Sequence, residues 1–117
     1  SAKSFKFKGK KLIERNKILK EAKLLEGAGV FSMVLECVES SLAKLITKEI
    51  RIPTIGIGAS SNCDGQVLVT DDLTGLNPIN VRFIKRYSNL RKIIEVAVIN
   101  YKKEVKNLNF PKKKHSY

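Results

Sequence analysis

The chain has 117 residues, 43% of them hydrophobic and 29% charged, with a formal net charge of +12. That length suits one domain at most, and that composition suits a packed globular fold and not a disordered one. No apolar run approaches the roughly 20 residues of a membrane-spanning helix, and the polar, basic start has no secretory character, so a cytoplasmic protein without membrane contact is expected.

Residues 1–10 are basic, and Phe5 and Phe7 alternate with Lys6 and Lys8, which suggests a short strand or an extended segment ending at Gly9. From Lys11 the spacing turns helical. Leu12, Ile13, Ile18, Leu19, Ala22 and Leu25 fall on one side, with Glu14, Arg15, Lys20 and Lys23 on the other. Gly27 and Gly29 should stop this helix, Gly27 being suited to a left-handed cap. Val30 to Leu35 is nearly all apolar and leads into Glu36. Such a run predicts a strand covered on both faces, as in a parallel sheet. Ser40 or Ser41 can cap a helix through Leu42, Leu45, Ile46 and Ile50, which Pro53 ends.

Thr54 to Gly58 reads as a second short buried strand, and Gln66 to Val69 as a third. The loop between them, residues 59–65, is rich in Gly, Ser, Asn and Asp. Helix alternating with strand is the signature of βα units around a parallel sheet. One link breaks that rule, because a helical crossover between parallel strands takes about a dozen residues and this loop is shorter. After Asp71, Asp72 and Gly75, Pro78 should open a helical stretch with Val81, Ile84 and Tyr87. A longer amphipathic helix follows, with Leu90, Ile93, Ile94, Ala97, Val98, Tyr101 and Val105 on one side. Residues 107–117 form a polar tail with Phe110, Pro111 and the lysines at 112, 113 and 114. Three strands do not close a barrel, and an open three-stranded sheet leaves edges and an uncovered face. The chain also opens on Ser1 and not on Met, so a fragment or a processed product is expected.

Cys37 and Cys63 lack the spacing of a disulfide scaffold or a zinc site, and free thiols in a reducing compartment are expected. The positive charge admits a different reading, a basic module that binds nucleic acid, and unfinished sheet edges and uncovered helix faces admit another, an oligomerising interaction protein. Its lysines, however, are spread along the whole chain, and most aromatic residues fall at core-like helical or strand positions. A face of lysines in solvent explains that pattern without nucleic acid.

An ordered series of phrases gives a sharper reading. It comprises Phe5-Lys6-Phe7-Lys8-Gly9-Lys10, Leu24-Leu25-Glu26-Gly27-Ala28-Gly29, Val34-Leu35-Glu36-Cys37-Val38 and Leu42-Ala43. It continues with Ile52-Pro53-Thr54-Ile55-Gly56-Ile57-Gly58-Ala59, Cys63-Asp64-Gly65-Gln66-Val67-Leu68-Val69, Asp72, Gly75, Phe110-Pro111 and His115-Ser116-Tyr117. Together these resemble ketopantoate hydroxymethyltransferase. The resemblance implies a (β/α)8 TIM barrel of about twice this length, of which this chain supplies strands six to eight and the closing helices as part of a single domain. The short link between strands seven and eight is a feature of that family.

The resemblance also implies an activity: transfer of a hydroxymethyl group from 5,10-methylenetetrahydrofolate to 3-methyl-2-oxobutanoate, giving 2-dehydropantoate on the way to pantothenate. It implies Mg2+, which chelates the keto acid and stabilises an enolate. The family's proton acceptor matches Glu36. Its magnesium-binding aspartates and substrate-binding lysine belong to the first half of the barrel, upstream of Ser1, so no metal or substrate ligand is expected in this chain, and the chain by itself should be inactive. A homo-oligomer is expected, with no nucleic acid and no membrane as partner.

Glu36 also has a basis in its own position. It ends an apolar strand, the edge where barrel enzymes carry their chemistry, and partly apolar surroundings there raise a carboxyl pKa toward a useful value for a base. Asp64 and Gln66 flank the entry to the third strand, where turn and cap chemistry is the expected role. Asp72 could line the mouth of a barrel or cap a helix. Cys37 beside Glu36 has no histidine near it in sequence and is read as a buried thiol and not a nucleophile. His115 is read as a packing group. Three positions depart from the family pattern: Glu39 stands where a proline is usual, Ser60 where a glycine is usual, and Asp71 where a histidine is usual. They point to a divergent sequence.

Overall fold

The computed structural model describes residues 6–117, so Phe5 and the first half of the extended segment expected over residues 1–10 lie outside the described residues. Helix α1 (Leu12–Gly27) is followed by strand β1 (Met33–Glu36), helix α2 (Ser40–Glu49), strand β2 (Thr54–Ile57), strand β3 (Gly65–Gln66), the short α3 (Thr70–Leu73) and α4 (Leu90–Lys106). A 3-10 turn at Lys113–His115 closes the chain. The strands form one parallel sheet in the order β1-β2-β3. The protein is therefore α/β with a small parallel sheet. It falls into two compact units, residues up to Val69 with Asn80–Ile84, and Thr70–Ile79 with Lys85–Tyr117.

In the first unit, one face of the sheet makes the core. Met33 and Leu35 of β1 and Thr54 and Gly56 of β2 are buried, and the residues between them are not. The expectation of a strand covered on both faces is corrected here: β1 alternates buried and exposed, because the described residues put a helical layer on one side only. Leu42, Ala43 and Ile46 of α2 are completely buried and form a core cluster with Ala22, Met33, Leu35, Val38 and Ile50. Each large aliphatic buried this way contributes about 1.5–3 kcal/mol. Of the apolar face expected for α1, only Ala22 is fully buried, with Ile18 and Leu19 packed against the cluster; Leu12, Ile13 and Leu25 stay exposed. Gly27 is the last helical residue, and the left-handed turn falls on Gly29 at φ +89°, two positions later than expected.

The cap of α2 is also a correction. Neither Ser40 nor Ser41 is the N-cap. Glu39 is, its carboxylate accepting from the backbone N–H of Ser41 at 3.1 Å and of Leu42 at 3.0 Å. At the other end of α1, the Glu26 carboxylate accepts from the backbone N–H of Arg51 and Ile52, which ties α1 to the turn before β2.

The short β2–β3 link has a simple geometry. Gly65 pairs with Ile55 and Gln66 with Gly56, so β3 starts opposite the middle of β2. The chain leaves β2 at Ile57 and needs to step back only two residues, about 7 Å along the strand. Residues 58–64 do this without a helix. Asn62 N–H donates to Ser60 Oγ at 3.1 Å and Cys63 N–H to the Ser60 carbonyl at 3.3 Å, making a compact turn. The third strand is shorter than expected. One further bond, Val67 N–H to the Gly56 carbonyl at 3.0 Å, extends the ladder, and Val69 remains exposed.

The second unit is built differently. Asp72 on α3 is buried and accepts from Asn77 Nδ2 at 2.6 Å. Asn77 Oδ1 in turn accepts from Ile79 N–H at 3.1 Å, and the Arg86 guanidinium donates to the carbonyls of Asn77 and Ile79. These bonds occupy the backbone groups that a helix from Pro78 would use, and the expected helical stretch there is not formed. Helix α4 has the expected extent, starting at an Asn89 cap whose side chain accepts from Lys92 N–H, but none of its residues is buried. The tail folds back on α4: the Phe110 ring stands edge-on to Tyr101 at 5.7 Å and tilted to His115 at 5.2 Å.

Candidate active site

Glu36 is the last residue of β1, paired in register with Ile57 at the end of β2. The alternation of the strands puts it on the same face as Val34, Ile55 and Ile57, opposite the helical layer. Val34 is 58% exposed and Glu36 is exposed with it. The carboxylate therefore sits at the C-terminal edge of a parallel sheet, on its open side. The partly apolar surroundings expected from the sequence are, among the described residues, limited to the neighbouring isoleucines.

The residue after it has an unusual backbone. Cys37 adopts φ +51°, rare for a residue with a side chain. Its N–H donates to the Ile57 carbonyl at 2.9 Å, and its own carbonyl accepts from Lys8 N–H at 2.8 Å. Glu39 N–H then donates to the Lys8 carbonyl at 2.7 Å, and Lys8 bridges Val38 in parallel. Cys37 is buried, and that burial, followed by the negative charge of Glu36, pushes its thiol pKa up. A thiol held protonated is a poor nucleophile, which agrees with reading Cys37 as a packing residue. Both cysteines are free and buried.

Glu39 belongs to a polar clamp that the sequence did not reveal. Its carboxylate accepts from Arg15 at 3.1 Å and from Ser41 Oγ at 2.6 Å, besides the two backbone N–H groups it caps. Hydrogen bonds from the Ser41 hydroxyl and backbone, then from Leu42 and Arg15, hold its pKa down to about 2. A glutamate directly before Ser40-Ser41 hinted at a cap, but Arg15 lies 24 positions away and nothing local announces it. A cleft of about 610 Å³ opens beside it at the same C-terminal edge of the sheet, bounded by Phe7, Glu39, Gly58, Ser60, Arg82 and Phe83. Glu36 does not line it.

The other singled-out residues have structural places. Asp64 Oδ2 accepts from Thr54 N–H at 2.8 Å and from Thr54 Oγ1 at 3.3 Å, and Thr54 Oγ1 lies 2.8 Å from Thr47 Oγ1. Thr54 starts β2, so Asp64 sits at the N-terminal edge, the length of the strand away from the Glu36 edge. Gln66 donates from Nε2 to the Ser60 carbonyl at 2.6 Å, on the row shared with Gly56 and not on the Glu36 face. Asp72 is held by Asn77 within the second unit. His115 Nδ1 accepts from Lys112 N–H at 3.1 Å and its ring packs on Phe110. Ser60 does not take a positive φ; Gly58 does, at +61°, so the serine meets no backbone penalty.

Among the described residues, no three His, Cys, Asp or Glu side chains come together to hold a metal ion. No helix among them is long and apolar enough to cross a membrane. The expectation that aromatic residues occupy core positions is corrected: of the described aromatics none is buried, because aliphatic residues of β1, α1 and α2 fill the core.

The family model for ketopantoate hydroxymethyltransferase matches residues 1–113. The chain belongs to this family. A 3-methyl-2-oxobutanoate hydroxymethyltransferase of Pelagibacter ubique is 67% identical over 117 residues, all of this chain and 46% of that protein. Proteins of the same name from Carboxydothermus hydrogenoformans and Thermosipho melanesiensis are 49% and 51% identical over 114 residues, 97% of this chain and 41% and 43% of theirs. The chain thus spans less than half the length of these curated relatives. Every one of them is named as a transferase, and the nucleic-acid alternative gains no support.

Proposed function

We propose that the protein containing this chain transfers a hydroxymethyl group from 5,10-methylenetetrahydrofolate to 3-methyl-2-oxobutanoate, giving 2-dehydropantoate, and that Glu36 is its base. The chain then contributes strands six to eight and the closing helices of a (β/α)8 barrel that assembles as a homo-oligomer in the cytoplasm. The observation that carries the reading is the place of Glu36, the last residue of a parallel strand, on the sheet face that no helix among the described residues covers. In barrels of parallel strands that edge holds the chemistry.

The C3 proton of the keto acid is acidified by the adjacent carbonyl. The Glu36 carboxylate takes it. Water releases the one-carbon unit of the donor as formaldehyde, both of its carbon–nitrogen bonds breaking and tetrahydrofolate leaving; the electron pair left on C3 attacks the formaldehyde carbon, whose oxygen takes up a proton and becomes the product hydroxyl. A positioned base of this kind contributes about 10²–10⁴-fold in rate. Magnesium, which the family resemblance implies, finds no set of donor side chains among the described residues, so the part of the chemistry assigned to this chain is proton removal. On this reading the 117-residue chain by itself has no turnover.

The test is an assay of the purified full-length gene product with 3-methyl-2-oxobutanoate and methylenetetrahydrofolate. Formation of 2-dehydropantoate, absent when the 117-residue chain is assayed by itself, is expected. No product from the full-length protein overturns the activity, and product from the short chain overturns the claim that the chain is insufficient.

A further inference from the structure

We propose that Cys37 is a positioning residue for Glu36, and that it acts through its backbone. This rests on reading Glu36 as the base. Along β1 the burial alternates regularly: Met33 in, Val34 out, Leu35 in, Glu36 out. The alternation breaks at the next step, where Cys37 and Val38 are both buried. The break coincides with the positive φ of Cys37. Up to the Cys37 N–H, which bonds the Ile57 carbonyl, the chain is in register with β2; from the Cys37 carbonyl onward it is in register with Lys8. One left-handed residue therefore switches the strand from one partner to another.

That switch has a consequence for Glu36. A strand continuing in regular extension past Glu36 would carry Val38 to the open face beside it. With the turn at Cys37, Val38 joins the core, and Glu36 is left as the final residue on the open face. Local irregularities of this kind re-aim side chains at barrel rims and beside active sites. The conformation is also held from outside. Lys8 clasps the Cys37 carbonyl and the Glu39 N–H with two backbone bonds, and Gly9 follows at φ +86°. A Cβ on Gly9 would run into Leu42 Cδ2, so the clasp lies directly against the core. A strained conformation that surrounding structure over-determines, next to a candidate base, points to function.

The test uses two replacements in the full-length gene product. Cys37→Gly removes the side chain and accepts the positive φ without penalty, whereas Cys37→Val keeps a compact apolar side chain that resists it. Both are measured for kcat and KM with the keto acid, and for Tm. The expected result is a kcat for Cys37→Val at least tenfold below that of Cys37→Gly, with KM within threefold. A purely structural cysteine predicts the reverse order or none, since glycine loses the packing. Equal kcat in the two variants, whatever their Tm, overturns the proposal. Should Cys37→Val not fold, Cys37→Ala takes its place, with a threefold deficit in kcat against Cys37→Gly expected and equality again overturning the proposal. Glu36→Gln measured alongside separates the two levels. If it leaves kcat unchanged, the base assignment fails; if it abolishes kcat while the Cys37 variants match one another, only the positioning role fails.

Discussion

The two compact units bury their chains in different ways. The first concentrates every fully buried aliphatic residue among the described ones in a layer between α1, α2 and one face of the sheet. The second holds its loops by polar bonds around Asp72 and Asn77, and its long helix α4 buries nothing, although Ile93, Ile94, Val98 and Tyr101 give it a clear apolar side. The difference teaches that amphipathic spacing and burial are separate facts. Spacing says which side of a helix needs covering, and only packing says that it is covered. A chain less than half as long as its relatives can therefore hold one finished layer and one helix whose apolar side is open.

Substitutions sharpen this contrast, measured by urea unfolding of the full-length gene product. The largest effect is expected at the centre of the first unit: Leu42→Ala should cost about 2–5 kcal/mol, because the methyl groups removed leave a cavity. Ile93→Ala on α4, where the side chain is 62% exposed, should stay within about 0.5 kcal/mol. A large loss at Ile93 would mean that α4 is covered in the full-length protein, and so would break the contrast as a property of the fold.

A smaller effect is expected at Asp64. Asp64→Ala leaves the completely buried Thr54 without its partner across the loop and should cost about 1–3 kcal/mol. It should leave KM for the keto acid unchanged, because Asp64 lies at the opposite edge from Glu36. A KM raised severalfold would return Asp64 to the substrate site.

Glu39→Ala removes a helix cap and should cost about 0.5–2 kcal/mol. Its pH dependence has a definite sign. The folded-state pKa is about 2 against an ordinary value of 4.5, so the carboxylate stabilises the fold fully above about pH 4.5. That contribution fades as the pH falls toward 2. Unfolding midpoints across that window should drop less steeply for Glu39→Gln than for the unchanged protein, and parallel curves would remove the clamp from the account. A modest effect is expected in the second unit: Phe110→Ala gives up ring contacts with Tyr101 and His115 and should cost about 0.5–1.5 kcal/mol, more than Ile93→Ala and less than Leu42→Ala.

Much of this was legible in the residues. A strand in the run from Val30 to Leu35 that leads into Glu36, the helix after it, the strand at Thr54 and the long helix from Leu90 all follow from apolar spacing and stop signals, although the strand itself begins only at Met33. The short link before Gly65 was visible as an anomaly, and the register explains it: a strand that starts opposite Ile55 needs no crossover. What stayed hidden depends on groups far apart in sequence. The cap at Glu39 is completed by Arg15, and the backbone at Cys37 is set by Lys8 and Ile57. The segment from Pro78 misled because the carbonyls on either side of it, Asn77 and Ile79, are taken by Arg86, a side chain that periodicity does not weigh. For the site, the position of Glu36 at a strand end could be read directly, whereas the turn that leaves it there could not.

The most direct measurement of the central claim is exchange of the C3 hydrogen of 3-methyl-2-oxobutanoate for solvent deuterium, catalysed by the full-length gene product without the one-carbon donor. It isolates proton removal from the rest of the reaction. With Glu36 as the base, Glu36→Gln should slow exchange by about 10²–10⁴-fold while the protein stays folded. Exchange at the unchanged rate in Glu36→Gln would contradict the account.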